Sequence, residues 1–152
     1  MNLKNLGQKY VVTVTPETNL EDASRLMREN HVGDVVVVEV KAGRKVPVGI
    51  LTDRDIVLAT IAVGAPAKPF VAGDIMTKNI VTVKEDESLN NLIDLMKEKG
   101  VKRVPIVNRE RGLIGIIALE DIIGLLSREL NALAEVVKRQ KEIELQRRPK
   151  LA

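Results

Sequence analysis

Val12-Thr13-Val14, followed six residues on by Leu20, is written a second time as Val81-Thr82-Val83 followed by Leu89, an offset of 69. At that offset Met27 meets Met96, Val32 meets Val101, and Val35-Val36-Val37-Val38 meets Val104-Pro105-Ile106-Val107. Past a three-residue loop deletion the offset becomes 66, where Gly49-Ile50 aligns with Gly115-Ile116 and Asp55-Ile56 with Asp121-Ile122. Matches this numerous, held in one order, indicate two copies of one supersecondary unit.

Each copy reads strand, helix, strand, strand, helix. In the first, Val11 to Val14 is a short β run, and Thr18 and Asn19 are cap candidates for a helix with Leu20, Ala23, Leu26 and Met27 on its apolar face. Val35 to Val40 and Val46 to Leu51 read as strands joined by a turn at Lys41-Ala42-Gly43-Arg44, and Asp53 to Ile61 as a second helix stopped by Gly64-Ala65-Pro66. The second copy repeats this, with Leu89, Leu92, Ile93 and Met96 on its first helix and strands at Arg103 to Val107 and Leu113 to Ile117. Strands dense in Val and Ile without alternation are expected where helices cover one face and another sheet covers the other. One unit of about 60 residues buries little surface alone. The expected fold is therefore α/β (α+β): two β-α-β-β-α repeats related by a pseudo-twofold axis and packed through their sheets, with clefts between them. The expected organisation is a first repeat at 8–65, a connector at 66–73, a second repeat at 74–127 opening on a short helical turn at Asp74-Ile75-Met76-Thr77, and a helical tail at 128–152.

Of the 152 residues, 45% are hydrophobic and 30% charged, which suits a folded core and excludes wholesale disorder. Purely apolar runs such as Val35 to Val38 stop far short of the ~20 residues that a membrane helix requires. Met1-Asn2-Leu3-Lys4-Asn5 lacks the apolar stretch of a signal peptide, and no Cys is present for disulfides or thiolate chemistry, so the expected location is the cytoplasm. The formal charge of +3 lies wholly in residues 127–152, where seven Lys/Arg face four Asp/Glu. That excess gives mild attraction to polyanions. With only Tyr10 and Phe70 as aromatics, there is no stacking platform for single-stranded nucleic acid. In the tail, Leu126, Leu130, Leu133 and Val137 follow a 4-3-4 spacing, a short apolar seam suited to a partner helix.

Gly49-Ile50-Leu51-Thr52-Asp53-Arg54-Asp55 ends a strand and opens a helix. One reading is a capping device, Thr52 as N-cap and Asp55 holding free amides. The other is a ligand site, where a strand-to-helix turn offers N–H groups and a hydroxyl to a phosphate and an aspartate accepts two hydrogen bonds from a ribose diol. Both can hold together. His31 has no companion ligand at metal spacing and reads as a capping or surface residue. Glu85-Asp86-Glu87 reads as solvated charge before a helix. Glu120 and Asp121, adjacent on a helix, point about 100° apart, and Ser88 and Ser127 lack an activating base. No catalytic constellation is present, so the chain is read as a non-enzyme.

The duplicated units resemble a tandem pair of cystathionine-β-synthase (CBS) domains, a Bateman module. The resemblance is carried by His31 to Val38, Val48 to Ile56, Asp74-Ile75-Met76-Thr77 and Gly100 to Val107, within about residues 8–127. It implies regulation: such pairs bind adenosine-containing ligands (AMP, ADP, ATP, in some members S-adenosylmethionine) between the copies, need no further cofactor and commonly form disc-like homodimers. Carried over residue by residue, Thr52 and Asp55 would hold phosphate and ribose, with Arg54 as a further phosphate contact. The adenine would lie against Met76, Thr77, Ile80 and Val81 and against Val104 and Pro105, while Lys102 and Arg103 reach the phosphates. In the symmetry-related cleft, Tyr10, Val12, Asp34, Val35 and Asp121 are the matching residues. There Ala118 replaces the threonine, and Gly33-Asp34 stand where the first cleft has Lys102-Arg103. A carboxylate repels a phosphate, so one competent and one weak site are expected. Two alternatives stay open: a ligand-free dimerisation scaffold whose helical tail docks a protein partner, and weak nucleic-acid binding through the basic tail.

Overall fold

A computed structural model describes residues 2–148. Two compact units emerge among the described residues: one up to Ile117, with the sheets, and one from Ala118 onward, with the C-terminal helix.

The chain starts with a short helix, α1 (Leu3–Leu6), capped by the Asn2 side chain on the Lys4 amide. Strand β1 (Thr13–Val14), α2 (Leu20–Asn30), β2 (Asp34–Lys41), β3 (Arg44–Thr52) and α3 (Asp53–Ala59) complete the first repeat, followed by a 3-10 turn at Ile61–Val63. Then come α4 (Ala72–Ile75), β4 (Val83–Lys84), α5 (Leu89–Lys99), β5 (Arg103–Val107), β6 (Leu113–Ala118) and α6 (Leu119–Arg147). Each repeat forms one three-stranded sheet, in the orders β1-β2-β3 and β4-β5-β6. The register follows the duplication: Val14 pairs with Val37 in parallel, and 69 residues on Val83 pairs with Ile106.

Local chemistry sets the element ends. Asn19 and Ser88 cap α2 and α5 by accepting the amides of Asp22 and Asn91. Ser88, weighed above as a nucleophile, is thus a helix cap. His31 and Gly100 end the same two helices in the left-handed conformation, with φ of 54° and 64°. Pro47 sits inside β3 beside a register shift, Val37 facing Gly49 and Val38 facing Pro47, the kind of irregularity that admits a strand proline.

Successive side chains of a strand point to opposite faces. Val35 and Val37 therefore enter a cluster with Leu20, Ala23 and Met27 of α2, while Val36 and Val38 pack on Ile116 of the other sheet, flanked by Val11, Ile80 and Leu113. All four valines are at most 3% exposed, which explains the unbroken apolar run.

The repeats also exchange their leading segments. Thr77, after α4, exchanges backbone hydrogen bonds with Ile50 of the first sheet (2.9 and 3.3 Å), and Gln8, after α1, does so with Ile116 of the second (2.8 and 3.0 Å). Ala72 and Ile75 pack in the first repeat's core, and the Leu3 amide bonds to the Glu85 carbonyl. The segments cross closely at two glycines: a Cβ on Gly49 would lie 2.5 Å from Met76 Sδ, and one on Gly115 3.0 Å from the Gln8 carbonyl oxygen. Helix α1 is an element that the sequence reading leaves out of the first repeat. The helical turn expected at 74–77 lies instead at Ala72–Ile75.

The second unit is dominated by α6, 29 residues and so about 43 Å long at ~1.5 Å per residue. Among the described residues no helix is long and apolar enough to cross a membrane.

Candidate functional site

A cavity of about 300 Å³ opens between the two sheets. Ile50 and Thr52 of β3 and Asp34 of β2 line it from the first repeat. The segment after α4 contributes Thr77, Asn79, Ile80 and Val81, and the entry to β5 contributes Val101, Lys102 and Arg103. Ile50, Ile80, Val81 and Val101 give it apolar walls. Thr52, Thr77 and Asn79 supply hydrogen-bonding groups, Lys102 and Arg103 bring positive charge, and Asp34 adds a carboxylate. This combination suits a small ligand with a flat apolar body and an anionic end.

At Thr52 the capping device is realised. Thr52 Oγ1 accepts the Asp55 amide (3.0 Å) and Asp55 Oδ2 accepts the Thr52 amide (2.9 Å), closing a reciprocal capping box at the start of α3. Asp55 Oδ1 makes no hydrogen bond among the described residues, so the cap leaves one carboxylate oxygen to spare. Asp74 and Asp121 place the same carboxylate on the amides of Val71 (3.0 Å) and Ala118 (2.8 Å), without the hydroxyl half.

Six residues anticipated for this site line the cavity together: Thr52, Thr77, Ile80, Val81, Lys102 and Arg103. The other five stand off its walls. Asp55 is half-buried in the cap and Arg54 is exposed. Met76 packs with the first repeat's core against Gly49. Val104 and Pro105 are fully buried in β5, leaving no side-chain surface for a base to rest on. Of the residues matched to the second cleft, Tyr10, Val12 and Asp34 line a smaller cavity of about 120 Å³, where the Tyr10 hydroxyl lies 3.4 Å from Asn30 Oδ1. Val35 is instead 1% exposed in the core beneath α2, and Asp121 belongs to the second unit, where it caps α6.

Two features escape the sequence reading. Asn79 lines the larger cavity in a left-handed conformation (φ 55°), which asparagine tolerates better than most residues. Asp34 and Arg103, assigned above to opposite clefts, are bonded to each other, Arg103 Nε to Asp34 Oδ2 at 2.7 Å. Both residues line both cavities. The signal was present in the offset, since 34 and 103 differ by 69 and equivalent positions can meet only on the pseudo-twofold axis. A wider groove of about 490 Å³ lies elsewhere, between Val46 and Pro47 and the second repeat, with Lys84, Arg109 and Arg111 on its lining and no threonine-aspartate cap. Among the described residues no group of three His, Cys, Asp or Glu could hold a metal ion.

A duplicated sheet-helix unit with a cleft between its copies is the architecture of a two-repeat module. The CBS domain model matches residues 3–61 and 72–128, and the chain belongs to the CBS-domain family. The first match takes in α1, which the sequence reading left outside the repeat. The chain is 35% identical over 121 residues to the CBS domain-containing protein YhcV of Bacillus subtilis, covering 80% of this chain and 82% of that one. It is 34% identical over 123 residues to the uncharacterized protein MK0525 of Methanopyrus kandleri, 81% of this chain but only 61% of that protein's length. Among solved structures it is similar to the CBS domain pair of protein MJ0100, in complex with 5′-methylthioadenosine and S-adenosyl-L-methionine (TM-score 0.70, 26% identity, 85% of this chain and 98% of that one). It is also similar to a hexameric CBS-CP12 protein from bloom-forming cyanobacteria (TM-score 0.70, 27% identity, 81% of this chain and 69% of that one).

Proposed function

We propose that this protein is a non-catalytic cytoplasmic sensor that binds an adenosine-containing ligand, an adenine nucleotide or S-adenosylmethionine, in the 300 Å³ cleft. The observation that carries the reading is the lining itself, which joins four apolar side chains to Lys102 and Arg103 and to the hydroxyls of Thr52 and Thr77. The ring would lie among Ile50, Ile80, Val81 and Val101, the phosphates or carboxylate toward Lys102 and Arg103, and the ribose toward Thr52; Asp55, held off the wall in its cap, would turn its spare oxygen to the sugar on binding. The adenosine-derived ligands of the similar MJ0100 pair support this class of ligand. The second cleft, less than half the volume and lined by Arg103 but by neither Lys102 nor Thr52, is the weak site. The protein works as a homodimer; the hexameric CBS-CP12 protein supports self-association of this fold in general, without pointing to a dimer.

The test is a thermal-shift and calorimetry screen of AMP, ADP, ATP, S-adenosylmethionine and NAD against the whole chain. A ligand at 100 times its Kd stabilises a folded protein by about 2.7 kcal/mol, roughly 5–10 °C for a chain of this size. Saturable binding by an adenosine compound that weakens in Lys102→Ala and Arg103→Ala is the expected result. No shift with any of them overturns the reading. A second reading, a ligand-free scaffold, draws on the engagement of Asp55 in its cap and on the exposed apolar face of α6.

A further inference from the structure

Helix α6 carries a stripe of apolar side chains with nothing over it. Ile123, Leu126, Leu130, Leu133 and Val137 recur at alternating spacings of three and four, the a and d positions of a two-stranded coil. All five are at least half exposed, Leu130 and Val137 at 68% each, and Val136 beside them at 65%. A contiguous apolar stripe on a soluble helix marks a surface that meets another protein surface.

Charge along the same helix indicates which one. Residues 119–135 carry Glu120, Asp121, Glu129 and Glu135 against one base, Arg128. Residues 136–147 carry Lys138, Arg139, Lys141 and Arg147 against Glu142 and Glu144. The helix is therefore acidic at its start and basic at its end, with the stripe spanning the changeover. A parallel pair would set acid beside acid and base beside base, whereas an antiparallel pair sets each end against its opposite and also opposes the helix dipoles.

We infer that the stripe is covered by α6 of a second copy, running antiparallel. With Leu130 of each copy against Leu133 of the other, Leu126 meets Val137 and Glu120 falls opposite Lys141. The seam is short, so the association is concentration-dependent. This inference names the surface for the homodimer proposed above and is independent of what the cleft binds.

The full chain has no cysteine, so introduced thiols report orientation directly. Leu126→Cys and Val137→Cys are made singly and together, then oxidised mildly. Residues 126 and 137 of one helix are about 16 Å apart, beyond the reach of an internal disulfide. The expected result is a covalent dimer from the double variant and little from either single one. Light scattering should show the parent shifting to dimer as concentration rises and Leu130→Glu remaining monomeric with unchanged helix content. Efficient linkage of both single variants indicates a parallel pair and overturns the inference, as does no linkage of the double variant. A parent that stays monomeric throughout overturns both this inference and the homodimer. A parent and a Leu130→Glu variant that are equally dimeric place the interface elsewhere, overturning the inference while the homodimer stands.

Discussion

Exchanging the charges at positions 34 and 103 probes how the two repeats meet. The Asp34 side chain is 11% exposed and that of Arg103 41%, with 2.7 Å between Oδ2 and Nε. Unit charges about 4 Å apart attract by roughly 4 kcal/mol at an effective dielectric constant near 20. The half-exposed arginine draws the net value toward the ~0.2–1 kcal/mol of surface pairs, and the buried aspartate toward the ~3–5 kcal/mol lost when a buried pair is broken. Asp34→Arg or Arg103→Asp alone replaces attraction with repulsion and should destabilise by about 2–3 kcal/mol, a fall in Tm of roughly 4–12 °C. Because the positions correspond at the repeat offset, Asp34→Arg with Arg103→Asp rebuilds the pair with its polarity inverted. The double variant should therefore recover at least about 1 kcal/mol relative to the sum of the singles, within the usual coupling range for residues in contact. Urea denaturation of the parent, both singles and the double variant measures this, provided the m-values agree. If the losses simply add, positions 34 and 103 do not face each other and the assignment of the pseudo-axis is refuted.

Three further outcomes follow from the same structure. Asp55→Ala should cost about 1 kcal/mol through the lost cap and also abolish the ligand-induced thermal shift, while Asp121→Ala should show the cap loss alone. Thermal shift with and without AMP separates these effects, and an unchanged ligand response in Asp55→Ala removes that carboxylate from the site. Gly49→Ala forces a methyl group against Met76 Sδ and the Thr77 carbonyl oxygen and should destabilise by about 1–3 kcal/mol in denaturant titration; a change under about 0.5 kcal/mol would mean the segment after α4 yields freely. Leu3→Ala empties a fully buried site at the start of the chain and should cost about 2–5 kcal/mol, against the near-zero effect expected if α1 were a frayed end.

The parts of the fold legible in the sequence are those where both copies kept the same residue type under the same physical demand. The short strands at Val14 and Val83, the apolar faces of α2 and α5 and the paired glycines 49 and 115 are of this kind. Helix α1 escaped because it has four residues, too few for a period to show, and because Leu3 and Gly7 correspond to Ala72 and Met76, which share neither size nor shape. At the cleft, the residues approaching from loops and strand ends (Thr52, Thr77, Lys102) were accessible to motif reasoning. Val104 and Pro105 were not, because a strand covered on both faces has no free side to offer, and sequence order does not reveal which strand is so covered. Asp34 and Arg103 were seen as a contrast between clefts, when their complementary charge at equivalent positions is what allows them to bond.

That pairing has a consequence for any ligand. In an undiverged duplication, each residue on the axis meets its own copy, and a charge there is repelled by an identical charge. A close ion pair can occupy the axis only once the halves differ, and the substitution that neutralises the axis also makes the two clefts unequal. Here the acidic partner comes from the first repeat and the basic one from the second, yet both side chains line both cavities. An anion entering the larger cleft must therefore compete with Asp34 for Arg103, and success leaves the carboxylate less compensated on the side of the smaller cleft. Under the proposed function the two clefts are thus coupled through one bond: an anionic ligand in the first disfavours a second anion in the other and favours a neutral or cationic occupant. Asp34→Asn removes the competitor and the coupling together, so in that variant anion affinity at the larger cleft should rise while its dependence on occupancy of the smaller one disappears.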